Sequence, residues 1–388
     1  MRIIYSVAGR FKRHILALEE ITGLNLNLKI ITAEGVIAKG HKIKGVSFNK
    51  FMQFIRFFRL NNIRSQRMML NLYDFIVSLI LQREKKIDIF HHYGAPQTMA
   101  LKVARNKGAK TFLQTINAHV LFDIKVIKEE AEIYNVPVLK EPVYFSHILN
   151  KNRLLKAYEV ADYIICLSKF AYNTFIQNGI KPEKIKILPP GVDLNRFRPG
   201  KKLDDKFRIL FVGRVTLQKG IKYLLEAYQK LKLKNAELVI VGPVENELKE
   251  WIRDARNKIN LKMVGFTPNP VPFYQNASIF VLPSVTEGCA RVILEAMACG
   301  LPVIVTTNTG TICEDGKSGF VIPIRDVETL KEKILFLYEN REIREEMGKN
   351  AREHILKHYG WEKYVKRLIN IYKEVITEKN DENCYHWH

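Results

Sequence analysis

The hydrophobic positions of the chain fall into short runs that alternate with longer stretches of helical periodicity. The runs are apolar at nearly every position, which predicts strands buried on both faces, as in parallel sheets covered by helices. Their alternation with helical stretches indicates repeated βαβ units. The predicted strands are RIIYSV, LNLKIITA, IDIFHHY, KTFLQTI, DYIICLS and IKILPP in the first half, and RILFVGR, ELVIVGP, LKMVGF, SIFVLPS, PVIVTT and GFVIP in the second.

One segment interrupts this alternation and divides the chain in two. Residues 189–207, PPGVDLNRFRPGKKLDDKF, are rich in Pro, Gly and charge, which is typical of a connection between domains. A chain of 388 residues also suits two domains better than a single core. We therefore predict an α/β protein with two doubly wound domains, residues 1–190 and 191–360, and a last helix within 361–388 that crosses back onto the first domain.

Composition places the chain among soluble globular proteins. Hydrophobic residues make up 47% and charged residues 26%, and no apolar run approaches the ~20 residues of a membrane-spanning helix. The start, MRIIYSVAGRFKRH, predicts a strand rather than a secretion signal, and the final NCYHWH predicts a frayed tail rather than a metal site. No cysteines form a C-x-x-C pair, so we expect reduced thiols in a cytoplasmic protein. The cysteines are Cys166, Cys289, Cys299, Cys313 and Cys384.

The charge of the chain is strongly positive and unevenly distributed. Lys and Arg number 62 against 40 Asp and Glu, a formal net charge of +22 that favours an anionic partner. Between Gly35 and Tyr73 there is no acidic residue, and basic and aromatic side chains alternate there. This pattern is typical of a helix lying on an anionic membrane surface, and equally of a domain helix whose aromatic side chains pack on a sheet. The candidate membrane-binding residues are Lys50, Phe54, Arg56, Phe57, Arg59 and Arg64.

Candidate site residues follow the predicted strands directly. Ligands of doubly wound sheets bind beyond the carboxyl ends of the strands, and glycines, basic residues and histidines stand there. A helix predicted to begin near Gly288 adds free N–H groups that attract phosphate. Arg214 and Lys219 supply the charge to hold a diphosphate. The residues that follow strands are Gly9, His91, His92, His119, Gly213, Arg214, Lys219, Gly242 and Glu287.

Several of these segments together resemble the retaining glycosyltransferases of family 4, which have the GT-B fold of two Rossmann-like domains. The similarity extends over most of residues 160–330, with the motifs in the family's order. The first 150 residues match more loosely. The segments are ADYIICLSKFAYNTFIQNGIKPEKIKILPPGVDLNRF, LFVGRVTLQKGIKYLLEAYQKL, EGCARVILEAMACGLPVIVT and NTGTICEDGKSGFVIPIRD.

The resemblance implies roles for individual residues. Arg214 and Lys219 match the pair that binds the donor's diphosphate. Glu295 matches the glutamate that holds the ribose hydroxyls, and Glu287 the one beside the donor sugar. His119, in INAH, matches the histidine that faces the transferred sugar from the other domain. The resemblance therefore makes Glu287, His119, Arg214 and Lys219 the expected catalytic residues.

The resemblance also implies a donor pocket with two departures from the family pattern. Cys289 and Ala290 stand where the family often has Phe and Gly, and the loop at Gly9 lacks a second adjacent glycine. The expected donor-binding residues are Gly9, Gly213, Arg214, Lys219, Gly242, Gly288, Cys289, Ala290, Arg291 and Glu295. The first domain then binds the acceptor.

We accordingly expect a glycosyltransferase that uses a UDP- or GDP-sugar and needs no cofactor or metal. Its acceptor would be lipid-linked, a polysaccharide or another glycan, and the protein would be a monomer or homodimer on the inner face of the cell membrane. The alternatives are a nucleotide-sugar epimerase or phosphorylase of the same fold, and a non-enzymatic basic protein that binds nucleic acid or another anion. A nicotinamide dehydrogenase is disfavoured because YSVAGRFKR contains one glycine and not G-x-G-x-x-G.

Overall fold

The computed structural model describes residues 1–7, 27–32, 43–47, 63–94, 97–136 and 142–384 of the chain. In these residues two parallel sheets, each with helices beside it, confirm the predicted α/β class. The first sheet has the strand order β3-β2-β1-β4-β5-β6-β7. Its strands are β1 (Arg2–Val7), β2 (Asn27–Thr32), β3 (Ile43–Ser47), β4 (Ile89–Tyr93), β5 (Lys110–Gln114), β6 (Tyr163–Cys166) and β7 (Ile185–Ile187).

The second sheet follows the linker and has the order β10-β9-β8-β11-β12-β13. All its neighbouring strands are parallel. The four residues of its central strand β11 are all buried, which is why this stretch of sequence has no polar position. The strands are β8 (Phe207–Val212), β9 (Ala236–Val241), β10 (Leu261–Gly265), β11 (Ile279–Leu282), β12 (Val303–Thr306) and β13 (Gly319–Ile322).

Helices connect the strands and cover both sheets. The helices of the first domain are α1 (Ile63–Arg83), α2 (Thr98–Asn106), α3 (Val120–Ile133), α4 (Pro142–Val160) and α5 (Lys169–Gln177). Those that follow are α6 (Ile221–Leu231), α7 (Lys249–Lys258), α8 (Val271–Gln275), α9 (Arg291–Ala298), α10 (Val327–Glu339), α11 (Arg341–His358) and α12 (Trp361–Cys384). Polar caps begin several of them: the side chains of Ser168 and Asp326 accept hydrogen bonds from the first turns of α5 and α10.

The last helix, α12, packs on the first sheet rather than on the second. Its residues Tyr364, Leu368 and Tyr372 share one hydrophobic cluster with residues of β1, β2, β4, β5 and β6. The Tyr372 hydroxyl lies 2.6 Å from Nδ1 of His91, and the Tyr364 hydroxyl donates to Gln114 at 3.2 Å. One face of the first sheet is therefore covered by the part of the chain that follows the second domain.

Candidate active site

Loops at the carboxyl edge of the second sheet approach each other closely. Gly213 follows β8 with φ of 150°, and Gly242 follows β9 with φ of 147°. A Cβ on Gly242 would lie 1.9 Å from the carbonyl oxygen of Gly213, so only glycine allows these two loops to touch. The close approach sets Arg214 and the loop after β9 side by side.

Lys219 and Glu287 form an ion pair at this edge. Lys219 ends a short 3-10 turn, Leu217–Lys219, and Glu287 lies in the loop after β11. The two loops are tied together by Gln218, whose side chain donates to the Thr286 carbonyl at 2.9 Å and whose carbonyl accepts from Val285 at 2.9 Å. Only 18% of the Lys219 side chain and 12% of that of Glu287 are exposed, so the pair is largely withdrawn from water and little screened.

Arg214 pairs with a carboxylate that the sequence reasoning missed. Its Nη1 donates to Oε1 of Glu245 at 2.8 Å; the Arg214 side chain is 53% exposed, whereas that of Glu245 is 7% exposed. Glu245 follows β9 at the same edge of the sheet as Gly242. Glu245 follows a strand, as the other candidate residues do, so its position could have been predicted. It was not among the candidates because an acidic side chain is not expected beside a diphosphate.

Glu295 lies on α9 and accepts a hydrogen bond from the hydroxyl of Tyr274 at 3.0 Å. Removal of the carboxylate from bulk water raises the pKa of Glu295, while the Tyr274 bond and the charges of Arg291 and Arg196 oppose that rise. The carboxylate of Glu295, which lies in an apolar stretch of sequence, therefore has the Tyr274 hydroxyl as a hydrogen-bond donor. No signal in the sequence pointed to Tyr274.

The segment from Gly288 to Arg291 meets the first domain. A Cβ on Gly288 would lie 2.2 Å from the carbonyl oxygen of Ile116, and the Ser168 hydroxyl donates to the Gly288 carbonyl. Cys289 and Ala290 are buried and Arg291 is exposed. Burial raises the pKa of the Cys289 thiol to about 12, so the thiol is protonated at neutral pH.

His119 is the N-cap residue of α3 and is 1% exposed. Its Nδ1 accepts from the backbone N–H of Leu121 at 3.3 Å, and its ring contacts Tyr158 and Phe175, each at 5.1 Å between centroids. Burial lowers the pKa of His119 to about 4. The imidazole is therefore neutral at physiological pH, and its charge does not contribute to binding an anion.

Asp123 was not predicted, although it lies one helical turn after His119 on the same face of α3. It is fully buried, and its Oδ1 accepts from the hydroxyl of Thr286 in the second domain at 2.6 Å. Burial raises the pKa of Asp123 to about 7; the Thr286 bond lowers it and the charge of Glu287 raises it further. A carboxyl group with a pKa near neutrality thus lies at the boundary between the domains, beside Glu287.

The structure brings together most of the predicted site residues. Those at the carboxyl edge of the second sheet are Gly213, Arg214, Lys219, Gly242, Glu287, Gly288, Cys289, Ala290 and Arg291, and Glu295 lies in the second turn of α9, which begins at Arg291. His119 lies on the helix that contacts this edge. Gly9 lies outside the described residues.

The other predicted residues either lie in the first domain or fall outside the described residues. Lys50, Phe54, Arg56, Phe57 and Arg59 are outside the described residues, and Arg64 lies in the first turn of α1. His91 and His92 are buried within β4, and His91 belongs to the contact between the first sheet and α12. Among the described residues, we find no cluster of three or more His, Cys, Asp or Glu side chains suited to a metal ion. The helices within the described ranges include none both long and apolar enough to cross a bilayer.

The described residues form two parallel α/β domains, with charged loops at the carboxyl edge of the second sheet. Comparisons with known proteins identify the family to which this architecture belongs here. Residues 33–196 match the family model described as Glycosyltransferase Family 4, and residues 193–354 match that described as Glycosyl transferases group 1. The chain belongs to these glycosyltransferases, as its motifs predicted.

Similar proteins agree with this assignment. The capsular polysaccharide biosynthesis glycosyltransferase CapM of Staphylococcus aureus is 30% identical over 52% of this chain and 54% of its own length. This chain thus spans about half the length of that relative. A glycosyltransferase of Methanocaldococcus jannaschii is 28% identical over 81% of this chain and 83% of its own.

Solved structures confirm the GT-B fold. Sucrose-phosphate synthase from Thermosynechococcus elongatus superposes with a TM-score of 0.70 at 16% identity, covering 97% of this chain and 100% of that one. Anabaena HepE in complex with UDP-glucose gives a TM-score of 0.67 at 17% identity, covering 96% of this chain and 100% of HepE.

Proposed function

We propose that the protein is a retaining glycosyltransferase that moves a sugar from a nucleoside diphosphate to a lipid-linked, polysaccharide or other glycan acceptor. The observation that carries the proposal is the ion pair of Lys219 with Glu287 at the carboxyl edge of the second sheet, beside Arg214 and against the first domain. One solved neighbour of the same fold, Anabaena HepE, is described in complexes with UDP and with UDP-glucose, which supports a nucleotide-sugar donor.

In this proposal, fixed positive charge stabilises the leaving diphosphate. Cleavage of the sugar–phosphate bond leaves a nucleoside diphosphate anion and an oxocarbenium-like sugar. Lys219, Arg214 and the N-terminus of α9 would stabilise that anion, an effect often worth several kcal/mol. Lys219 would exchange its contact with Glu287 for a phosphate oxygen, which leaves Glu287 to contact the donor sugar.

Glu295 would accept hydrogen bonds from the ribose hydroxyls, with Tyr274 holding its other oxygen. For retention of configuration, the departing diphosphate would take the acceptor's proton on the face it leaves. Because protein cations supply the positive charge, we propose that no metal is required. Closure of the domains would exclude water and limit hydrolysis of the donor.

We further propose that the protein acts at the inner membrane face. Helix α1 exposes Met68, Phe75 and Leu79, at 54%, 46% and 38%, on one side. The basic, aromatic segment that precedes this helix adds positive charge in the sequence. Replacing Arg56, Arg59 and Arg64 by Glu should weaken flotation with anionic liposomes and leave nucleotide affinity unchanged; unchanged flotation would refute this surface.

A thermal-shift screen with UDP, GDP and ADP and their sugars tests the donor proposal. Transfer is then measured with the stabilising donor in Lys219→Ala and Glu295→Ala, which should lose at least about a hundredfold in rate while keeping the circular dichroism spectrum. Full activity in either variant would contradict the site. Donor turnover without acceptor would instead support the epimerase or phosphorylase alternative, and tighter binding to duplex DNA than to liposomes would support nucleic-acid binding.

A further inference from the structure

Helix α3 belongs to the first domain by its position after β5, yet its inner face packs into the second domain. Val126, Ile127 and Ala131 are buried in the same hydrophobic cluster as the strands of the second sheet. The two carboxylates on this buried face, Asp123 and Glu130, are seven positions apart and so lie two helical turns from each other. The helix thus forms a principal contact between the domains.

The last turn of α3 is held by an ion pair with the second domain. Glu130 is fully buried, and its Oε1 accepts from Nε of Arg325 at 2.6 Å. Its Oε2 accepts from the hydroxyl of Tyr223, at the start of α6, at 2.9 Å. Nη2 of Arg325 donates to Oε2 of Glu129 at 2.9 Å. Both oxygens of the buried Glu130 carboxylate therefore find their partners across the domain boundary.

Arg325 adopts an unfavourable backbone conformation to make these bonds. Its φ is 64°, in the left-handed region that costs a residue with a Cβ some free energy. It lies between β13 and α10, directly before Asp326, which caps α10. A glycine would adopt this backbone more easily, but it would lack the guanidinium that bonds Glu129 and Glu130.

The same helix carries His119 at its other end. His119 caps the first turn of α3, and its backbone N–H donates to the Thr174 hydroxyl at 2.9 Å. Between His119 and Glu130 the helix is continuous and about 16 Å long. A bond that fixes the last turn of α3 on the second domain therefore also fixes the position of His119 relative to Glu287.

We propose that Glu130 and Arg325 are positioning residues that clasp α3 to the second domain and so place His119 opposite the donor site. This inference rests on the proposed function for the role of His119. The guanidinium stabilises the closed arrangement of the domains more than an open one. Without it, the buried Glu130 carboxylate has no charge partner, and it can be hydrated only if the domains open. Loss of Arg325 should therefore open the domains rather than unfold them.

The test uses the full chain and compares Arg325→Gly with Arg253→Ala, which removes an exposed arginine of the ion pair with Glu250 on α7. Glycine suits the left-handed backbone, so the first variant removes the guanidinium without adding strain. Glu130→Gln gives a second variant of almost unchanged volume. Small-angle X-ray scattering measures the radius of gyration, and calorimetry measures the affinity for the nucleoside diphosphate chosen by the screen.

We expect a larger radius of gyration in Arg325→Gly, a smaller increase in Glu130→Gln, whose neutral amide oxygen can still accept from Arg325, and no change in Arg253→Ala. Nucleotide affinity should change less than about twofold, because the nucleotide contacts lie within the second domain, while kcat falls about tenfold as the closed population falls. Arg325→Lys should recover part of the loss. Equal compactness in all variants, or unchanged kcat, would overturn the proposal. An opened Arg325→Gly together with no transfer by the unsubstituted protein would support the clasp and overturn the proposed function.

Discussion

The buried carboxyl group of Asp123 makes stability depend on pH in a way that one substitution reveals. Burial raises its pKa from the ordinary value of 3.8 to about 7. Between these values the folded protein holds a proton on Asp123 that the unfolded chain has released. The free energy of unfolding therefore falls as pH rises through this window, with no cost below pH 4 and the full cost above pH 7.

The size of the effect follows from the same numbers. A rise from 3.8 to about 7, at 1.36 kcal/mol for each pH unit, gives a cost of about 4 kcal/mol above pH 7 as an upper bound. Asp123→Asn keeps an oxygen that accepts from Thr286 and removes the charge that faces Glu287. We expect Asp123→Asn to match the parent protein near pH 4 and to be more stable by about 1 to 4 kcal/mol at pH 8.

The assay is thermal unfolding of both proteins at half-unit steps from pH 4 to pH 8. The difference between the two midpoints isolates Asp123, since all other titrating groups are common to both. Asp254→Asn is the control, because Asp254 is an exposed partner of Lys258 on α7. A difference between parent and Asp123→Asn that stays constant across the range would refute the reasoning.

Three further outcomes follow from the site. Tyr274→Phe removes the hydrogen bond to Glu295 and should weaken nucleotide binding about fivefold in calorimetry, a result that unchanged affinity would contradict. Gly288→Ala would place a Cβ 2.2 Å from the Ile116 carbonyl oxygen, so the two domains must move apart. The radius of gyration should then rise and the rate of transfer should fall at least about tenfold. A normal rate of transfer would be inconsistent with this contact. Dialysis against EDTA should leave transfer unchanged, and a loss that Mg²⁺ or Mn²⁺ restores would show that the proposed cations do not suffice.

The strands that are buried on both faces could be predicted from the sequence alone. β11 and β12 have buried side chains at every position, and their sequences are apolar except for Thr306 at the end of β12. β3 was missed because IKGVS is short, carries a lysine and a glycine, and occupies an edge of its sheet. An edge strand has a neighbour on one side only, and its sequence need not be uniformly apolar.

The position of a candidate residue was predictable where the residue follows a strand or belongs to a known motif. It was not predictable where the residue's partner comes from a distant part of the chain. Lys219 and Glu287 could be placed at one edge because both follow central strands of the second sheet. The roles of Asp123 and Glu130 could not be predicted, because they depend on how the first domain packs on the second. No local sequence pattern contains that information. Two acidic residues at this spacing in α3 are typical of a helix with a solvent-exposed polar face. Only their hydrogen-bond partners in the second domain show that the two carboxylates are buried.

The placement of α12 has a consequence for how the protein is made. Ribosomes release the first sheet long before residues 361–384, so Ile89 and Phe112 have no covering helix while the second domain is being synthesised. The second domain contains all of its own strands and helices by residue 358 and is free to fold before its predecessor is finished. The packing of the first sheet is therefore completed only after the second domain has been synthesised, when α12 becomes available to cover Ile89 and Phe112.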